Sequence, residues 1–457
     1  MKNYDDIIIG FGKGGKTLAG YLATKGRKVA LIEKDKGMYG GTCINVGCIP
    51  SKSLVTSCIN IVKSGKKNAA FAEKAALYAE AITEKRRVTS MLRQKNYAKL
   101  ADLANVDVID GSASFVSNTQ VKVVTETGTM DICGEHFFIN TGSASFIPPI
   151  PGLKDNPNVY DSRSLMDLDK LPEHLAIIGG GYIGLEFASM YANFGSQVTV
   201  FQDLPSFAPK EDKEVAETIT KILTDKGVKL LAGTAITKIE QTGTRVLIHF
   251  TQAGKEDMLS VDAILVATGR RPNITGLNLA AAGVATTSRG AVQTDEHLQT
   301  TAPNIWAMGD VTGNLQFTYT SLDDYRVVRN HLEGSGAYTL TSRKNVPFSV
   351  FIDPSFSRVG LSEAEALAAG YKIKVARLPA AAIPKAQVVR QTNGLLKAVI
   401  DADTNLILGA ALICEESYEV INIIKLAMDA GIKYTVLRDQ VFTHPTMSEA
   451  LNDLFNI

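Results

Sequence analysis

The chain has 457 residues, 45% of them hydrophobic and 21% charged, with a formal net charge of +1. That length exceeds one ordinary hydrophobic core, so two to four domains are expected. The near-zero charge gives no electrostatic case for nucleic acid or an anionic membrane surface, and no stretch approaches the roughly 20 apolar residues of a membrane span.

The N-terminus runs almost at once into an apolar strand, Ile7–Ile9, which leaves no room for a signal peptide and points to a cytoplasmic protein. Gly10-Phe-Gly12-Lys-Gly14-Gly15 follows, then a helix-like segment Lys16–Lys25 and a strand Lys28–Ile32 ending at Glu33. This is a βαβ unit with a glycine fingerprint: a tight turn, room for a pyrophosphate and close helix–strand packing. The phosphate would rest on the helix N-terminus. Glu33 stands 23 residues after Gly10, placed to bind a ribose hydroxyl.

Next comes Gly-Gly-Thr-Cys-Ile-Asn-Val-Gly-Cys-Ile-Pro-Ser-Lys (Gly40–Lys52). On a regular helix, Cys43 and Cys48 would lie about 8–9 Å apart, whereas a disulfide needs Cα atoms within about 7 Å. The pair can bridge only if the backbone is bent here or not yet helical; Pro50 and Gly47 are the residues expected to allow that. The other cysteines, 58, 133 and 414, stand alone and read as inert core residues, and five in all is no secreted disulfide framework. A close pair in a cytosolic chain points to redox catalysis or metal binding.

Residues 65–105 read as one or two long helices and 107–150 as short alternating strands ending in Asn140-Thr141-Gly142. Pro148–Gly152 is a stiff linker. The βαβ unit then recurs: strand Leu175–Ile178, loop Gly179-Gly-Gly181-Tyr-Ile-Gly184, helix Leu185–Phe194 and strand Gln197–Phe201. Gln202 follows Gly179 by 23 residues, the interval seen in the first copy. Two in-phase copies predict two dinucleotide sites. A carboxylate at this position bonds the 2′-hydroxyl of NAD and repels the 2′-phosphate of NADP. Gln202 removes that repulsion, so NADPH is expected, with NADH possible; Lys210 and Lys213 are the cations near in sequence. Strand Ala263–Ala267 with Thr268-Gly269-Arg270 closes the second unit, Asn304–Asp310 is a strand ending on Gly-Asp, and Arg343–Pro347 is a further junction before a mixed α/β region.

In this order the pieces resemble the flavoprotein disulfide reductases, the family of lipoamide dehydrogenase, glutathione reductase and mercuric reductase. The resemblance implies an α/β fold of two Rossmann-like dinucleotide-binding domains plus a C-terminal α+β dimerisation domain. Its parts would be 1–150 and 271–345 for FAD, 151–270 for NAD(P)H and 346–457 for dimerisation. It implies that Gly10, Gly12, Gly15 and Glu33 hold the adenosine half of FAD and that Asp310 binds the ribityl chain. Gly179, Gly181 and Gly184 would hold NAD(P)H together with Gln202. Thr42, Ala113, Gly142, Gly269 and Thr318 join the cofactor contacts. Lys52 and Glu186 resemble the family's ion pair beside flavin and nicotinamide. His444, in His-Pro-Thr-Met-Ser-Glu449, would be the acid–base residue serving the partner subunit's cysteines in a homodimer, oriented by Glu449. Cys48 would face the flavin and Cys43 would be the attacking thiol.

Within the family, mercuric reductases carry a C-terminal cysteine pair, whereas this sequence ends Leu-Asn-Asp-Leu-Phe-Asn-Ile457. Lipoamide dehydrogenases have His-x-His-Pro where Phe442 stands here, and Leu-Ala-His where Phe317, Thr318 and Tyr319 stand. The segments Leu315–Val328, Arg438–His444 and Ser448–Leu454 resemble the reactive-chlorine-resistance reductases. Reduction of a small oxidant, hypothiocyanous acid first and copper(II) second, is the activity this implies. Lipoamide dehydrogenase is the alternative, and a copper- or mercury-binding thiol protein is the alternative of another class.

Overall fold

The computed structural model describes residues 2–457, and the chain divides into two units. The first combines 1–54, 81–146 and 269–343; the second combines 55–80, 147–268 and 344–457.

In the first unit, strands β1 (Lys2–Ile9) and β2 (Val29–Glu33) flank helix α1 (Lys13–Thr24). The helix begins at the glycine loop, three residues earlier than expected, because glycines at its start cost little where the chain must turn. The short helix α2 (Thr42–Asn45), then α3 (Cys48–Lys63) and α4 (Phe71–Ala101), lead to β3 (Val106–Asp110), β4 (Ser112–Ser117), β5 (Gln120–Thr125) and β6 (Gly128–Ile139). The sheet order is β3-β2-β1-β6-β5-β4. Strands β1, β2, β3 and β6 pair in parallel, Ile305–Ala307 adds to the far half of β6, and β4, β5 and the near half of β6 form an antiparallel flap. The strand period of two divides the core. Ile7 and Ile9 pack with Phe115 and Phe137 on one face, while Ile8 and Leu31 pack with Leu18, Phe138 and Trp306 on the other.

The second unit repeats the pattern in a parallel sheet ordered Lys229–Leu231, Gln197–Phe201, His174–Ile178, Ala263–Val266, Val159–Tyr160, with helix Tyr182–Phe194 following the second glycine loop. It also holds a three-stranded antiparallel sheet over 234–261 and a five-stranded antiparallel sheet over 348–413, the latter packed with helices Ser417–Asp429, Tyr434–Asp439 and Ala450–Leu454. The fold is thus mixed α/β with two dinucleotide-binding motifs and a C-terminal α+β region. No helix among the described residues is long and apolar enough to cross a membrane. Cys58 and Cys414 are buried, but Cys133 is only half-buried on β6, so the expectation of an inert core residue does not hold there.

Candidate active site

The cysteine motif is bent by a break between two helices. Helix α2 starts after Gly41, whose φ of +81° favours glycine and whose Cβ would stand 2.7 Å from the Gly12 Cα. It ends at Val46, and α3 begins at Cys48. A Cβ on Gly47 would meet the Thr42 carbonyl oxygen at 3.0 Å, so the break requires a small residue there. Pro50 is not the cause: it falls in the first turn of α3, where a missing N–H costs nothing.

Both cysteines are thiols, Cys43 half-buried and Cys48 exposed. Cys48 is held down to about 6, chiefly by the hydrogen bond from the Cys43 thiol, against burial, with help from the Thr318 hydroxyl and the Lys52 charge. Its place at the N-terminus of α3 adds the favourable end of the helix dipole. The same hydrogen bond, followed by burial, pushes Cys43 far up. The two shifts run in opposite directions from one shared hydrogen bond, so the thiols titrate as a pair. Thr318 Oγ1 lies 3.5 Å from Cys48 Sγ, at the start of helix Thr318–Leu332. The rings of Phe317 and Tyr319 stack there at 5.1 Å, and burial, with the Cys48 charge, raises the Tyr319 phenol.

The outer side of the motif is clamped by α4. Asn45 donates to the carbonyls of Tyr39 and Gly41 at 2.9 Å and accepts from Arg93 Nε at 2.8 Å. Lys16 Nζ donates to the Gly40 carbonyl at 3.1 Å and to Asn96 Oδ1 at 2.6 Å. Lys16 and Asn96 were not legible as site residues, because the hydrogen bond spans 80 positions; the only signal is a cation directly after the glycine fingerprint.

The first dinucleotide motif offers what a pyrophosphate and ribose need. Gly10 has φ +106°, and a Cβ there would sit 2.4 Å from the Asn140 carbonyl oxygen. Gly12 caps α1 with no side-chain hydrogen bond, leaving the helix terminus to backbone donors. Gly15 packs its N–H on Asn140 Oδ1 at 2.9 Å. Glu33 Oε2 accepts from Phe11 N at 2.9 Å, and burial raises its carboxyl. Asp310 accepts from Ser143 Oγ at 2.7 Å, and the preceding Gly309 donates to Asp324 Oδ2 at 2.7 Å. Thr42 opens α2, and Gly142 and Gly269 take positive φ in adjoining turns. Ala113 lies on β4 within the apolar core. This donor set fits FAD.

The second motif repeats the first glycine's turn and the side-chain acceptor 23 residues later. Gly179 has φ +111°, Gly184 packs against the Gly179 carbonyl, and Gly181 faces open space. Gln202 Oε1 accepts from Gly180 N at 2.9 Å, as Glu33 does from Phe11 N. The loop after Gln202 is pinned by Tyr182 Oη donating to Glu211 at 2.5 Å and by Arg358 Nη1 donating to the Lys210 carbonyl at 3.1 Å. Lys210 is exposed, and Lys213 pairs with Glu217 at 3.7 Å. This set fits a pyridine nucleotide.

Lys52 on α3 donates to Ser51 Oγ at 3.2 Å. Glu186, buried on helix Tyr182–Phe194, accepts from Phe351 N at 3.0 Å. The two belong to different units. In the second unit His444 Nδ1 meets Glu449 Oε2 at 2.7 Å, while Glu449 Oε1 accepts from Thr446 N at 3.1 Å. The His444 side chain is 69% exposed, so the carboxylate fixes one ring nitrogen and leaves Nε2 to the outside. The His444–Pro445 peptide is cis. Among the described residues no group of three or more His, Cys, Asp or Glu is arranged to hold a metal ion.

The chain matches the family "Pyridine nucleotide-disulphide oxidoreductase" over residues 4–324 and that family's dimerisation domain over 346–455. It is 50% identical, over the full length of both chains, to the probable pyridine nucleotide-disulfide oxidoreductase RclA of Escherichia coli. It is 35% identical to a mercuric reductase of Staphylococcus aureus, covering 98% of this chain and 81% of that protein. A solved structure, the Cu(II) complex of the HOCl-induced flavoprotein disulfide reductase RclA from Escherichia coli, superposes with a TM-score of 0.93 at 50% identity, covering 100% of this chain and 99% of the other. With two dinucleotide motifs, a dithiol across a break between two helices and a matching C-terminal domain, the chain belongs to the pyridine nucleotide-disulphide oxidoreductases, flavoproteins that use FAD and a pyridine nucleotide.

Proposed function

We propose that the Cys43–Cys48 dithiol reduces a small electrophilic oxidant, hypothiocyanous acid, with electrons from NADPH, in defence against oxidative stress. The observation that carries this reading is the dithiol itself, two free thiols at a break between helices with Thr318 Oγ1 3.5 Å from Cys48 Sγ. One thiol, one thiolate and hypothiocyanous acid give a disulfide, thiocyanate and water, with atoms and charge balanced and no external proton. Gly10, Gly12, Gly15, Glu33 and Asp310, with contacts from Thr42, Ala113, Gly142, Gly269 and Thr318, would hold FAD, which when bound would relay two electrons from the nicotinamide to the disulfide. Gly179, Gly181, Gly184 and Gln202 take the nucleotide, Lys52 is the charge that serves the flavin and Glu186 the one that serves the nicotinamide.

The Cys43 proton passes to the partner subunit's His444, which Glu449 orients, and the freed thiolate attacks the oxidant's sulfur. A sulfur–sulfur bond forms, the sulfur–oxygen bond breaks, and the imidazolium returns the proton so that water leaves. The Cys48 thiolate then attacks the Cys43 sulfur, expelling thiocyanate and closing the disulfide. The stacked Phe317 and Tyr319 beside the thiols favour a substrate of a few atoms, and the likeness to a reductase induced by HOCl supports the same physiological setting.

The test is NADPH consumption by the purified yellow homodimer with hypothiocyanous acid against lipoamide. Fast turnover with the oxidant alone is expected, and Cys43→Ser should abolish it while keeping flavin. Fast turnover with lipoamide would move the protein to dithiol metabolism. A second reading, reduction of Cu(II) by the same thiols, is favoured by the copper complex of the solved relative. It predicts Cu(I), trapped by a chromogenic chelator, in proportion to NADPH consumed.

A further inference from the structure

We propose that Arg358 is a positioning residue for the 2′ end of the nucleotide: from the C-terminal sheet it fixes the loop that carries Lys210, and so raises the preference for NADPH over NADH. This rests on the NADPH reading proposed above and adds a residue outside the nucleotide motif on which that choice depends.

All the residues concerned belong to the second unit. The segment after Gln202 folds back over the glycine loop. A Cβ on Gly180, whose N–H already donates to Gln202, would stand 2.6 Å from Phe207 Cδ1, so the buried Phe207 ring lies directly on the loop. Tyr182, which opens the helix after Gly181, reaches the end of the same segment through its hydrogen bond to Glu211 Oε1. Lys210 stands between these two contacts, with its side chain exposed.

Arg358, on strand Phe356–Gly360, fixes the backbone at that point. Its Nη1 donates to the Lys210 carbonyl at 3.1 Å and to Glu211 Oε2 at 3.2 Å. Its Nη2 donates to the Gly360 carbonyl at 3.4 Å and to Glu365 Oε2. Glu365 is held in turn, accepting from Ser362 N at 2.8 Å while its own N–H donates to Ser362 Oγ at 3.1 Å. The Arg358 side chain is 9% exposed and that of Glu211 1%. A planar guanidinium gripped on both edges has a set direction, and the Lys210 carbonyl takes its place from it. The same bonds turn the Glu211 carboxylate inward, so that of the neighbours Lys210 and Glu211 only the cation faces outward. The helix that follows has its own anchor, buried Lys397, which pairs with Asp212 at 2.8 Å and Glu214 at 2.6 Å. Helix Lys213–Asp225 therefore does not rely on Arg358 for its place.

The experiment is anaerobic reduction of the flavin in the holoenzyme by NADPH or NADH, followed by flavin absorbance, so that the oxidant plays no part. Arg358→Met should weaken the apparent Kd for NADPH about tenfold relative to that for NADH, with the limiting reduction rate kept. Arg358→Lys keeps the charge but loses the fork that reaches Glu211 and the Lys210 carbonyl together. It should shift the ratio in the same direction, and it decides the question if Arg358→Met fails to fold. Lys210→Ala should shift the ratio by a similar factor, and either Arg358 variant should add nothing to it in the double variant, because Arg358 acts through Lys210. An unmoved ratio in the flavin-replete Arg358 variant, equal losses for the two nucleotides, or shifts that multiply in the double variant overturn the role of Arg358. A wild type that favours NADH overturns the NADPH reading instead, and the shift of the ratio from that wild type still decides the role of Arg358.

Discussion

The two dinucleotide motifs of this chain are built alike, and one atom type separates their ends. In each, a strand enters a loop whose first glycine has φ above +100°, and a side chain 23 residues later accepts the N–H of the residue after that glycine. Glu33 does so with a carboxylate, Gln202 with an amide. The shared hydrogen bond is a structural duty that either group performs. The charge is the part left over for ligand choice: a carboxylate bonds a free ribose hydroxyl and repels a 2′-phosphate, and an amide removes that repulsion. The lesson is that the scaffold and the selectivity of such a site reside on different atoms of one side chain.

The largest effect expected from breaking this comparison is at the third glycine. A Cβ on Gly184 would lie 1.9 Å from the Gly179 carbonyl oxygen, whereas one on Gly15 would lie 2.9 Å from the Gly10 oxygen and from Ile8 Cγ2. Gly184→Ala must therefore lift helix Tyr182–Phe194 off its strand, costing about 3 kcal/mol. Pyridine-nucleotide turnover should fall at least 100-fold while flavin content stays near one per chain. Gly15→Ala should lose part of its flavin instead. Equal defects in flavin content and nucleotide turnover, measured by absorbance and by NADPH kinetics, would show that the two loops do not work independently.

What was legible in the sequence follows the same division between local and distant. The glycines, Glu33, Gln202 and the cysteine pair were readable because their chemistry depends on spacing along the chain. Asn140 was not: it takes the Gly15 N–H and gives its own to the Met308 carbonyl, tying together positions up to 168 apart. Asp324, which holds the Gly309 N–H beside Asp310, and the Lys16–Asn96 clamp were hidden for the same reason. Pro50 was misjudged because a proline's effect depends on which helical turn it occupies, and the helix start at Cys48 is set by the break at Val46 and Gly47. Thr318, expected among cofactor contacts, lies with its hydroxyl on Cys48, an approach across 270 positions.

Gln202→Glu sharpens the comparison without disturbing the scaffold. The new carboxylate keeps the acceptor for Gly180 N and adds a charge facing the 2′ position. Repulsion on the order of 2 kcal/mol corresponds to about 30-fold in kcat/KM for NADPH relative to NADH. Steady-state kinetics with both nucleotides checks it; an unchanged ratio would mean that the loop holding Lys210, and not residue 202, sets the preference.

The reverse exchange, Glu33→Gln, has the smallest effect and separates the two duties most cleanly. Burial raises the Glu33 carboxyl in the folded chain above its unfolded value, so the folded state binds the proton more tightly. Its contribution to stability is then largest below the unfolded value and falls as pH rises through the folded one. Glutamine has no such loss, and Gln202 shows that an amide oxygen can take the same backbone N–H. Flavin-free Glu33→Gln should therefore melt about 1–2 °C above the wild type at pH 7, and the difference should vanish near pH 4, where Glu33 is protonated. With FAD present the order should reverse, because the variant has lost the charged acceptor for the ribose. A variant less stable than the wild type at pH 7 without flavin would mean that the hydrogen bonds to the carboxylate outweigh its burial, and that even the structural duty depends on charge.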